Sequence, residues 1–370
     1  MIKISDELQK LWDCLPRTYL VGGVVRDALL NIKSDDIDMA TALLPEESIS
    51  LLRKKGYRVI PTGLSHGTIT ILLENKEKVE LTTFRKDTKS YGRRSEVSFG
   101  ADVSEDASRR DFTVNALYLT KEGDVLDFFT GLSDLKNGIV RFIGNPYERI
   151  KEDCLRILRF FRFYTRFGVG HPDTEALKAC AELKNGLDIL SAERKKEELF
   201  KLLSLPIVQK GLIPMIDTGV LQKLIPVNRE DLLGIDEIPP VPILRLWFLC
   251  RSEKTGLKLS NKEKTFLTKM TKANALPLNT VFHHQKTAFL FGFVVYTGLC
   301  AVLGIKPLIS EAPVFPITAS DMIDVFALKG EQIGIFLKKA KELLLEKGFP
   351  LKKELVLNSL RDIIDTKGDL

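Results

Sequence analysis

The strongest constraint on the fold is a change in the sequence pattern near residue 145. Before it, short runs rich in β-branched and apolar residues alternate with Gly-containing turns and helical stretches such as Leu43–Lys55. The runs predict strands at Tyr19–Val21, Ile37–Ala40, Thr68–Leu73, Val79–Phe84 and Ala116–Thr120. After it, apolar residues recur at helical spacing, as at Leu155, Leu158 and Phe161, and strand patterns nearly vanish. An α/β unit followed by an all-α remainder is therefore the predicted fold class.

Length and composition indicate a folded protein with more than one packed unit. The chain has 370 residues, of which 44% are hydrophobic and 28% charged, values typical of a globular protein. A net charge of +6 suits a polyanionic partner but does not identify one. The five cysteines are far apart and form no CxxC pair, which favours free thiols in a reducing cytoplasm over disulfides or a zinc site.

One segment raises the possibility of a membrane-associated protein. Thr287–Ile305 contains no charged residue and reaches the length of a spanning helix. It is interrupted by Gly292, Gly298 and Gly304, and no second such stretch exists, which favours a buried helix. The first ten residues lack the apolar core of a signal peptide. A soluble, cytoplasmic protein without a membrane partner is predicted.

The first motif with chemical content joins a glycine turn to a pair of aspartates. Gly22 and Gly23 follow a predicted strand, where the backbone can approach a phosphate, and Arg26 lies close behind. Asp36 and Asp38 are two residues apart, so on a strand both carboxylates point to one face and can bind a divalent cation.

Glu80, which alternates with apolar residues, can complete this site from a neighbouring strand. Each part has an ordinary alternative, since glycine pairs form turns, short Asp motifs occur in solvated loops and Glu80 can be an exposed strand residue. Their occurrence in one strand–helix–strand unit favours the site.

The second motif is the segment Arg109–Asn115. Arg110 offers a cationic group to a triphosphate, and Asp111 offers an acceptor to ribose hydroxyls. The alternative is an ion pair at the start of a helix, with Asp111 as its cap.

The third motif is the segment Glu152–Phe163. On a helix, Asp153 and Arg156 are neighbours one turn apart, and Arg159 and Arg162 continue the same face. The alternative is an intrahelical salt bridge beside a solvated basic stripe. Three arginines are poorly neutralised by one or two acids, so this face is predicted to bind an anion such as a nucleotide.

These three motifs, in this order, resemble the class II CCA-adding tRNA nucleotidyltransferases and bacterial poly(A) polymerases, over about the first 205 residues. The resemblance implies a mixed-sheet nucleotidyltransferase head at residues 1–144, a helical neck at 145–205, and a helical body and tail at 206–370 that bind tRNA. Ala192 and Lys195 depart from the family's usual glycine and isoleucine in the neck, which affects only the details of neck packing.

The resemblance also implies a role for each motif residue. In the family, Mg²⁺ binds the residues that match Asp36 and Asp38, and Glu80 matches a third catalytic carboxylate. The triphosphate contacts Gly22, Gly23 and Arg26, and triphosphate and ribose are held by Arg110 and Asp111. The base is read by Asp153 and Arg156, the nucleotide and that pair are supported by Arg159 and Arg162, and Arg85–Glu96 aligns with a loop needed for the final A addition. CTP and ATP are the implied substrates, with tRNA as partner and no obligate protein partner.

The Asp–Arg pair has the chemistry that such a selection needs. Cytosine and adenine both present an amino donor beside a ring-nitrogen acceptor, which match a carboxylate at Asp153 and a guanidinium at Arg156. Guanine and uracil present a carbonyl beside a ring N–H, so both contacts would be repulsive. One pair therefore admits C and A and rejects G and U.

Several functions remain open at this point. A poly(A) polymerase of the same family would use ATP alone and extend many RNAs. Enzymes that add only CC or only A are further alternatives. A non-catalytic RNA-binding protein is more distant, because Asp36, Asp38 and Glu80 are all retained.

Overall fold

The computed structural model describes residues 4–34, 36–91, 94–252, 254–349 and 352–367. The chain folds into two compact units. The first comprises Met1–Leu233 with Gly256–Lys258, and the second comprises Gly234–Thr255 with Leu259–Leu370.

The first unit is built on a mixed β-sheet. Its strands are β1 Thr18–Val21, β2 Ile37–Thr41, β3 Arg58–Gly63, β4 Thr68–Leu72, β5 Lys78–Thr83, β8 Leu117–Leu119 and β9 Val125–Asp127, in the spatial order β3-β4-β5-β2-β1-β8-β9. The pair β2–β5 is parallel and the other pairs are antiparallel. All five predicted strands are confirmed, whereas β3 and β9 were not predicted.

A separate two-stranded hairpin follows the fifth strand. It pairs β6 Arg85–Tyr91 with β7 Arg94–Phe99, and residues 92 and 93 lie outside the described residues. Most of Arg85–Glu96, the segment that aligns with a family loop, therefore lies in this hairpin.

Helices surround the sheet and form the rest of the chain. The first unit contains α1 Asp6–Asp13, α2 Gly23–Leu29, α3 Pro45–Lys54, α4 Val103–Ser108, α5 Gly131–Asn137, α6 Pro146–Glu152, α7 Leu155–Phe167, α8 Thr174–Leu183, α9 Ala192–Leu203 and α10 Gln209–Asp217. The second contains α11 Pro242–Cys250, α12 Asn261–Asn274, α13 Val281–Phe291, α14 Phe293–Val302, α15 Ala319–Phe326, α16 Glu331–Lys347 and α17 Lys353–Lys367. Among the described residues beyond β9 no further strand occurs, so the predicted change to an all-α remainder is confirmed.

Helix α7 connects the sheet to the helical part of the first unit. Its apolar residues Leu155, Leu158 and Phe161 are buried, as their spacing predicts. Helix α10 packs closely against it at Gly211, where an added Cβ would lie 1.7 Å from Oγ1 of Thr165. The polar face of α7 pairs instead with Asp27, Asp111 and Glu198.

The uncharged segment Thr287–Ile305 is not one buried helix, so that prediction is wrong in detail. It forms the end of α13 and all of α14, which are separated at Gly292 with φ of 93°. Glycine adopts this backbone conformation more readily than other residues, which explains the break. In the part of the chain that the structure describes, no helix is long and apolar enough to cross a membrane.

Candidate active site

One cavity of about 480 Å³ in the first unit gathers most of the predicted site residues. Nine of the twelve line it: Gly22, Gly23, Arg26, Asp36, Asp38, Arg110, Asp111, Arg159 and Arg162. Glu80, Asp153 and Arg156 do not. The lining includes seven Lys or Arg side chains and four Asp side chains, so the cavity is suited to an anionic ligand.

The glycine turn between β1 and α2 has a specific steric cause. Gly22 has φ of 71°, a left-handed conformation that favours glycine. An added Cβ would lie 3.2 Å from Nη1 of Arg110 and 3.4 Å from the carbonyl oxygen of Asn115. The turn therefore lets the backbone of β1 approach the second motif closely.

Three carboxylates lie at the parallel pair β2–β5. Asp38 is directly opposite Glu80 in the register, and Asp36 immediately precedes β2. Burial raises the pKa of Asp38 to about 6, and repulsion from Glu80 and Asp36 adds to this shift while Arg110 and Arg26 oppose it. Within the described ranges, none of the three carboxylates forms a hydrogen bond or ion pair through its side chain. This concentration of unneutralised negative charge fits a bound cation.

The donor set fits a hard divalent ion that also binds substrate. No group of three His, Cys, Asp or Glu side chains among the described residues could hold a metal by itself. Mg²⁺ is commonly held by one or two carboxylates together with waters and substrate phosphates. Asp36 and Asp38 therefore supply a plausible protein share of such a site, with the remaining ligands coming from a nucleotide and water.

We expect the substitution Asp38→Asn to stabilise the metal-free protein at pH 7. A carboxyl group whose pKa is raised in the folded state makes the folded protein less stable as the pH rises from about 4 to about 6, because the group ionises at lower pH in the unfolded chain. Removing this charge should raise the free energy of unfolding by about 1–2 kcal/mol, and by little at pH 4. Urea denaturation with EDTA at both pH values measures the effect. An equal or lower stability of Asp38→Asn at pH 7 would show that burial and the neighbouring carboxylates do not raise the pKa of Asp38.

The basic face of α7 is neutralised by carboxylates from three other segments. Arg159 pairs with Asp111 at 2.6 Å, Arg162 with Glu198 of α9 at 2.7 Å, and Arg166 with Asp27 of α2 at 3.0 Å. The expectation that Arg156, Arg159 and Arg162 are poorly neutralised is therefore wrong, because Arg156 also has a carboxylate partner in Glu152. The partners of Arg159 and Arg162 are distant in sequence, so the spacing of residues along one helix could not reveal them.

Arg26 is part of the cavity wall rather than a freely mobile cation. Its side chain is 4% exposed, pairs with Asp27 at 2.7 Å and donates to the side chain of Asn115. The guanidinium also lies 4.5 Å from the ring centroid of Phe167. Burial lowers the pKa of Arg26, and the neighbouring Asp27 opposes this shift.

The second motif is held by a buried polar network. Arg110 donates to the hydroxyl of Tyr118 at 2.8 Å and to Asp106 at 3.2 Å. Asp111 accepts hydrogen bonds from Asn115 and Arg159. Burial opposes ionisation of Asp111, but Arg159 and the hydrogen bonds outweigh it and lower the pKa to about 2. Asp111 is therefore an anionic acceptor at neutral pH.

Loss of Glu198 should destabilise the first unit. Its side chain is 5% exposed and accepts from Nε of Arg162 at 2.7 Å, so Glu198→Ala leaves a largely buried guanidinium without its partner. Such a loss costs about 3 kcal/mol, whereas Glu198→Gln can retain one hydrogen bond and should cost about 1–2 kcal/mol. The adjacent Glu197 pairs with Lys201 at the surface, so Glu197→Gln is the matched control and should cost less than about 0.5 kcal/mol. Chemical denaturation measures the free energy of unfolding of the three variants. Equal losses at positions 197 and 198 would contradict the importance of the buried ion pair.

The third motif does not form one continuous helix, and this corrects the prediction. Helix α6 ends at Glu152, Asp153 has extended backbone angles, and α7 begins at Leu155. Arg156 stabilises the break because it donates to the carbonyl oxygen of Arg149 near the end of α6.

Asp153 and Arg156 are each bound to another residue. Oδ2 of Asp153 pairs with Arg194 of α9 at 2.8 Å, and its Oδ1 accepts from the backbone N–H of Leu155. Arg156 pairs with Glu152 at 2.5 Å and also donates to the carbonyl oxygen of Arg109. These contacts fix the direction of both side chains.

Comparison with known proteins agrees with this architecture. Residues 18–141 match the family described as the poly A polymerase head domain, and residues 171–231 match the one described as the probable RNA and SrmB-binding site of polymerase A. The mitochondrial CCA tRNA nucleotidyltransferase 1 of Homo sapiens is 33% identical over 374 residues, covering 92% of this chain and 86% of that protein. The CCA-adding enzyme of Streptococcus gordonii is 42% identical over 210 residues, covering 56% of this chain and 51% of that one.

A solved structure shows the same fold over nearly the whole chain. The Bacillus stearothermophilus CCA-adding enzyme in complex with CTP has a TM-score of 0.79 and 24% identity, with 98% of each chain covered. Together with the sequence relatives, this places the protein in a family: the chain belongs to the CCA tRNA nucleotidyltransferases and poly(A) polymerases.

Proposed function

We propose that this protein adds C, C and A to the 3′ end of tRNA from CTP and ATP and releases pyrophosphate. The observation that carries the proposal is the single cavity, in which the glycine turn, two aspartates, Arg110–Asp111 and the arginines of α7 converge from separate segments. The relatives named as CCA-adding enzymes support it.

The two aspartates hold Mg²⁺ in this proposal, and Glu80 stands beside Asp38 as a further carboxylate. When bound, a pair of such ions activates the 3′-hydroxyl and stabilises the leaving oxygens. The chain itself positions the two substrates and neutralises charge, so no side-chain nucleophile is needed.

The triphosphate is bound by the cationic part of the cavity. Gly22 and Gly23 admit the phosphates to the backbone, and Arg110 faces the same cavity from the second motif. Arg159 and Arg162 are oriented by Asp111 and Glu198, so they meet a nucleotide in fixed positions. Arg26 contributes mainly by forming the wall behind the glycine turn, because its guanidinium is already bound.

Base selection falls to Asp153 and Arg156. The ion pair with Arg194 leaves the carboxylate of Asp153 negatively charged and directed, as an acceptor of an amino group must be. Glu152 and two carbonyl oxygens hold the guanidinium of Arg156 in the same way. Preorganised partners reduce the entropy lost when a base binds.

The three regions have separate tasks in this scheme. Residues 1–144 carry the reaction, residues 145–205 recognise the base, and residues 206–370 bind tRNA. The hairpin of β6 and β7 contains most of the segment assigned to the final A addition.

A stepwise incorporation assay tests the proposal. Purified protein and Mg²⁺ are incubated with tRNA transcripts that end before CCA, before CA and before A, with each nucleotide supplied separately and together. We expect ordered addition of C, C and A that then stops. Long A-tails on tRNA and unrelated RNA would instead identify a poly(A) polymerase. An arrest after two C residues or an addition of A alone would identify a partial enzyme, and tRNA binding without incorporation would identify a non-catalytic protein.

A further inference from the structure

A second cavity of about 650 Å³ lies at one end of the sheet in the first unit and shares no lining residue with the candidate active site. Its walls come from α1, the turn after α3, and the adjoining ends of β3, β4 and β5. The motif residues do not reach it. We call it the basic cleft because five cationic side chains line it: Lys10, Lys55, Arg58, Lys76 and Lys78.

The charge of the basic cleft is not balanced by its own acids. Only Glu7 and Glu74 line it as carboxylates, and Glu7 already accepts hydrogen bonds from the backbone N–H groups of Glu74 and Asn75. None of the five cations forms an ion pair with a residue in the described part of the chain. The arginines of the active-site cavity, by contrast, each have a carboxylate partner. Converging, unpaired cations in a concave surface create a positive potential that an anion would relieve.

The strand register arranges two of the cations in a row. Arg58 of β3 is opposite Leu72 of β4, and Leu72 is opposite Lys78 of β5. Cross-strand neighbours share one face of the sheet, and strands are roughly 4.8 Å apart, so Arg58 and Lys78 leave the sheet about 10 Å apart. The other three cations come from α1, the α3 turn and the β4–β5 turn. A small anion can be bound by a single glycine turn at the start of a helix. Cations that are spread over several elements instead match the spaced phosphates of a nucleic-acid strand.

Lys76 provides an independent observation. It occupies the β4–β5 turn with φ of 69°, a left-handed conformation in which glycine costs less than any side chain with a Cβ. Its backbone N–H donates to the carbonyl oxygen of Leu73, so the turn holds this residue at the edge of the basic cleft. The turn therefore places a cationic side chain at a position where glycine would be less strained.

We propose that the basic cleft binds the phosphate backbone of the RNA substrate outside the active-site cavity. The identity of that RNA as tRNA rests on the proposed function. The cleft raises RNA affinity and leaves nucleotide binding and the chemical step to the other cavity. Apolar side chains such as Leu72 on its floor add contact area to the ribose and base of the bound strand.

A charge-removal variant tests the basic cleft. The triple variant Lys55→Gln, Arg58→Gln and Lys76→Gly removes three cations, and the change at position 76 also relieves the left-handed backbone. The matched control is Lys121→Gln, Lys136→Gln and Lys178→Gln, which removes the same charge from the first unit outside both cavities. Thermal unfolding of both variants verifies that they fold.

Binding is measured without catalysis. A labelled tRNA transcript lacking CCA is titrated by fluorescence anisotropy in EDTA at several salt concentrations. We expect the cleft variant to bind about tenfold more weakly at physiological salt, with a salt slope smaller by about 2, because each lost phosphate contact reduces the slope by about 0.7–0.9. The control should stay within about twofold of the wild type. With saturating tRNA, the kcat and the KM for CTP should not change.

Three results would overturn the proposal. An unchanged tRNA affinity of the cleft variant would do so, and an equal loss in the control would show a non-specific effect of net charge. A loss of inorganic pyrophosphate or ATP binding with intact tRNA binding would show that the cleft serves a small anion. Because the titration needs no catalysis, a protein that binds tRNA through the cleft but adds no nucleotide would refute the proposed function and leave this inference standing.

Discussion

Asp36→Ala and Asp38→Ala proteins should incorporate nucleotides at least about 1,000-fold more slowly than the wild type while they retain tRNA binding. The two carboxylates lie in the cavity beside cationic groups that suit a triphosphate, and neither is engaged by a hydrogen bond or ion pair from a described residue. No other cluster of potential ligands among the described residues could replace them. Loss of either one therefore removes a ligand that the remaining site cannot substitute.

The measurement is single-turnover addition of C to a tRNA transcript in Mg²⁺. The matched control is Asp124→Asn, which changes an exposed carboxylate of the same unit outside the cavity and should leave the rate within about twofold. Asp38→Asn is the informative companion, because it should be inactive and yet unfold at higher urea concentration in EDTA. Rates within tenfold of the wild type for both alanine variants would refute the assigned metal site.

The fold class was predictable because the hydrophobic period changes along the chain. The strands that pair in the centre of the sheet, such as β2 and β5, carry dense β-branched and apolar residues. Strand β3 at the sheet edge and the short β9 lack such a run. Their position is determined by pairing with a neighbouring strand, which no local pattern records. The break at Gly292 was missed because the absence of charged residues predicts one continuous helix, and the sequence does not record the backbone angle of that glycine.

The composition of the cavity was predictable, whereas its internal contacts were not. The motifs predict residues that bind a nucleotide, and nine of the twelve predicted residues line one cavity. Glu198 and Asn115, the partners of Arg162 and Arg26, were missed because they pair across 36 and 89 residues of sequence. Glu198 lies next to Glu197 in the sequence, and only burial distinguishes the two. Such partners follow from tertiary packing.

The break between α6 and α7 is a further feature that the spacing of residues along the sequence did not predict, here over only a few residues. Spacing alone predicts that Asp153 and Arg156 lie one helical turn apart and contact each other. In the structure the chain is extended at Asp153, and the two side chains turn to Arg194 and Glu152. The break therefore gives each side chain a partner of its own, and the spacing of residues along one helix could not predict the pair of Asp153 with Arg194.

Asp153→Asn should weaken the preference for CTP over UTP from at least about 1,000-fold to about tenfold, because a half-buried acceptor is replaced by an amide that can also donate. In the proposed contact, the carboxylate of Asp153 accepts from the amino group of cytosine but repels the O4 carbonyl of uracil. An asparagine can turn its NH₂ group toward that carbonyl. Arg156→Ala removes the donor to the ring nitrogen, so it should lower kcat/KM for CTP and ATP together by about 100-fold and leave UTP and GTP almost unaffected.

The test is kcat/KM for CTP, UTP and GTP in one addition to tRNA that ends before CA, and for ATP in one addition to tRNA that ends before A, which separates selection from overall rate. Lys151→Ala is the matched control, since this exposed residue of α6 pairs only with Glu148 at the surface and should preserve the preference. Thermal unfolding must show that Asp153→Asn remains folded after its ion pair with Arg194 is weakened. If Asp153→Asn lowered all four values equally, the residue would position the site without reading the base. If instead the preference for CTP collapses while the rate with UTP rises, selection resides in the donors and acceptors of these two side chains, and the protein performs by hydrogen bonding what a template strand does by base pairing.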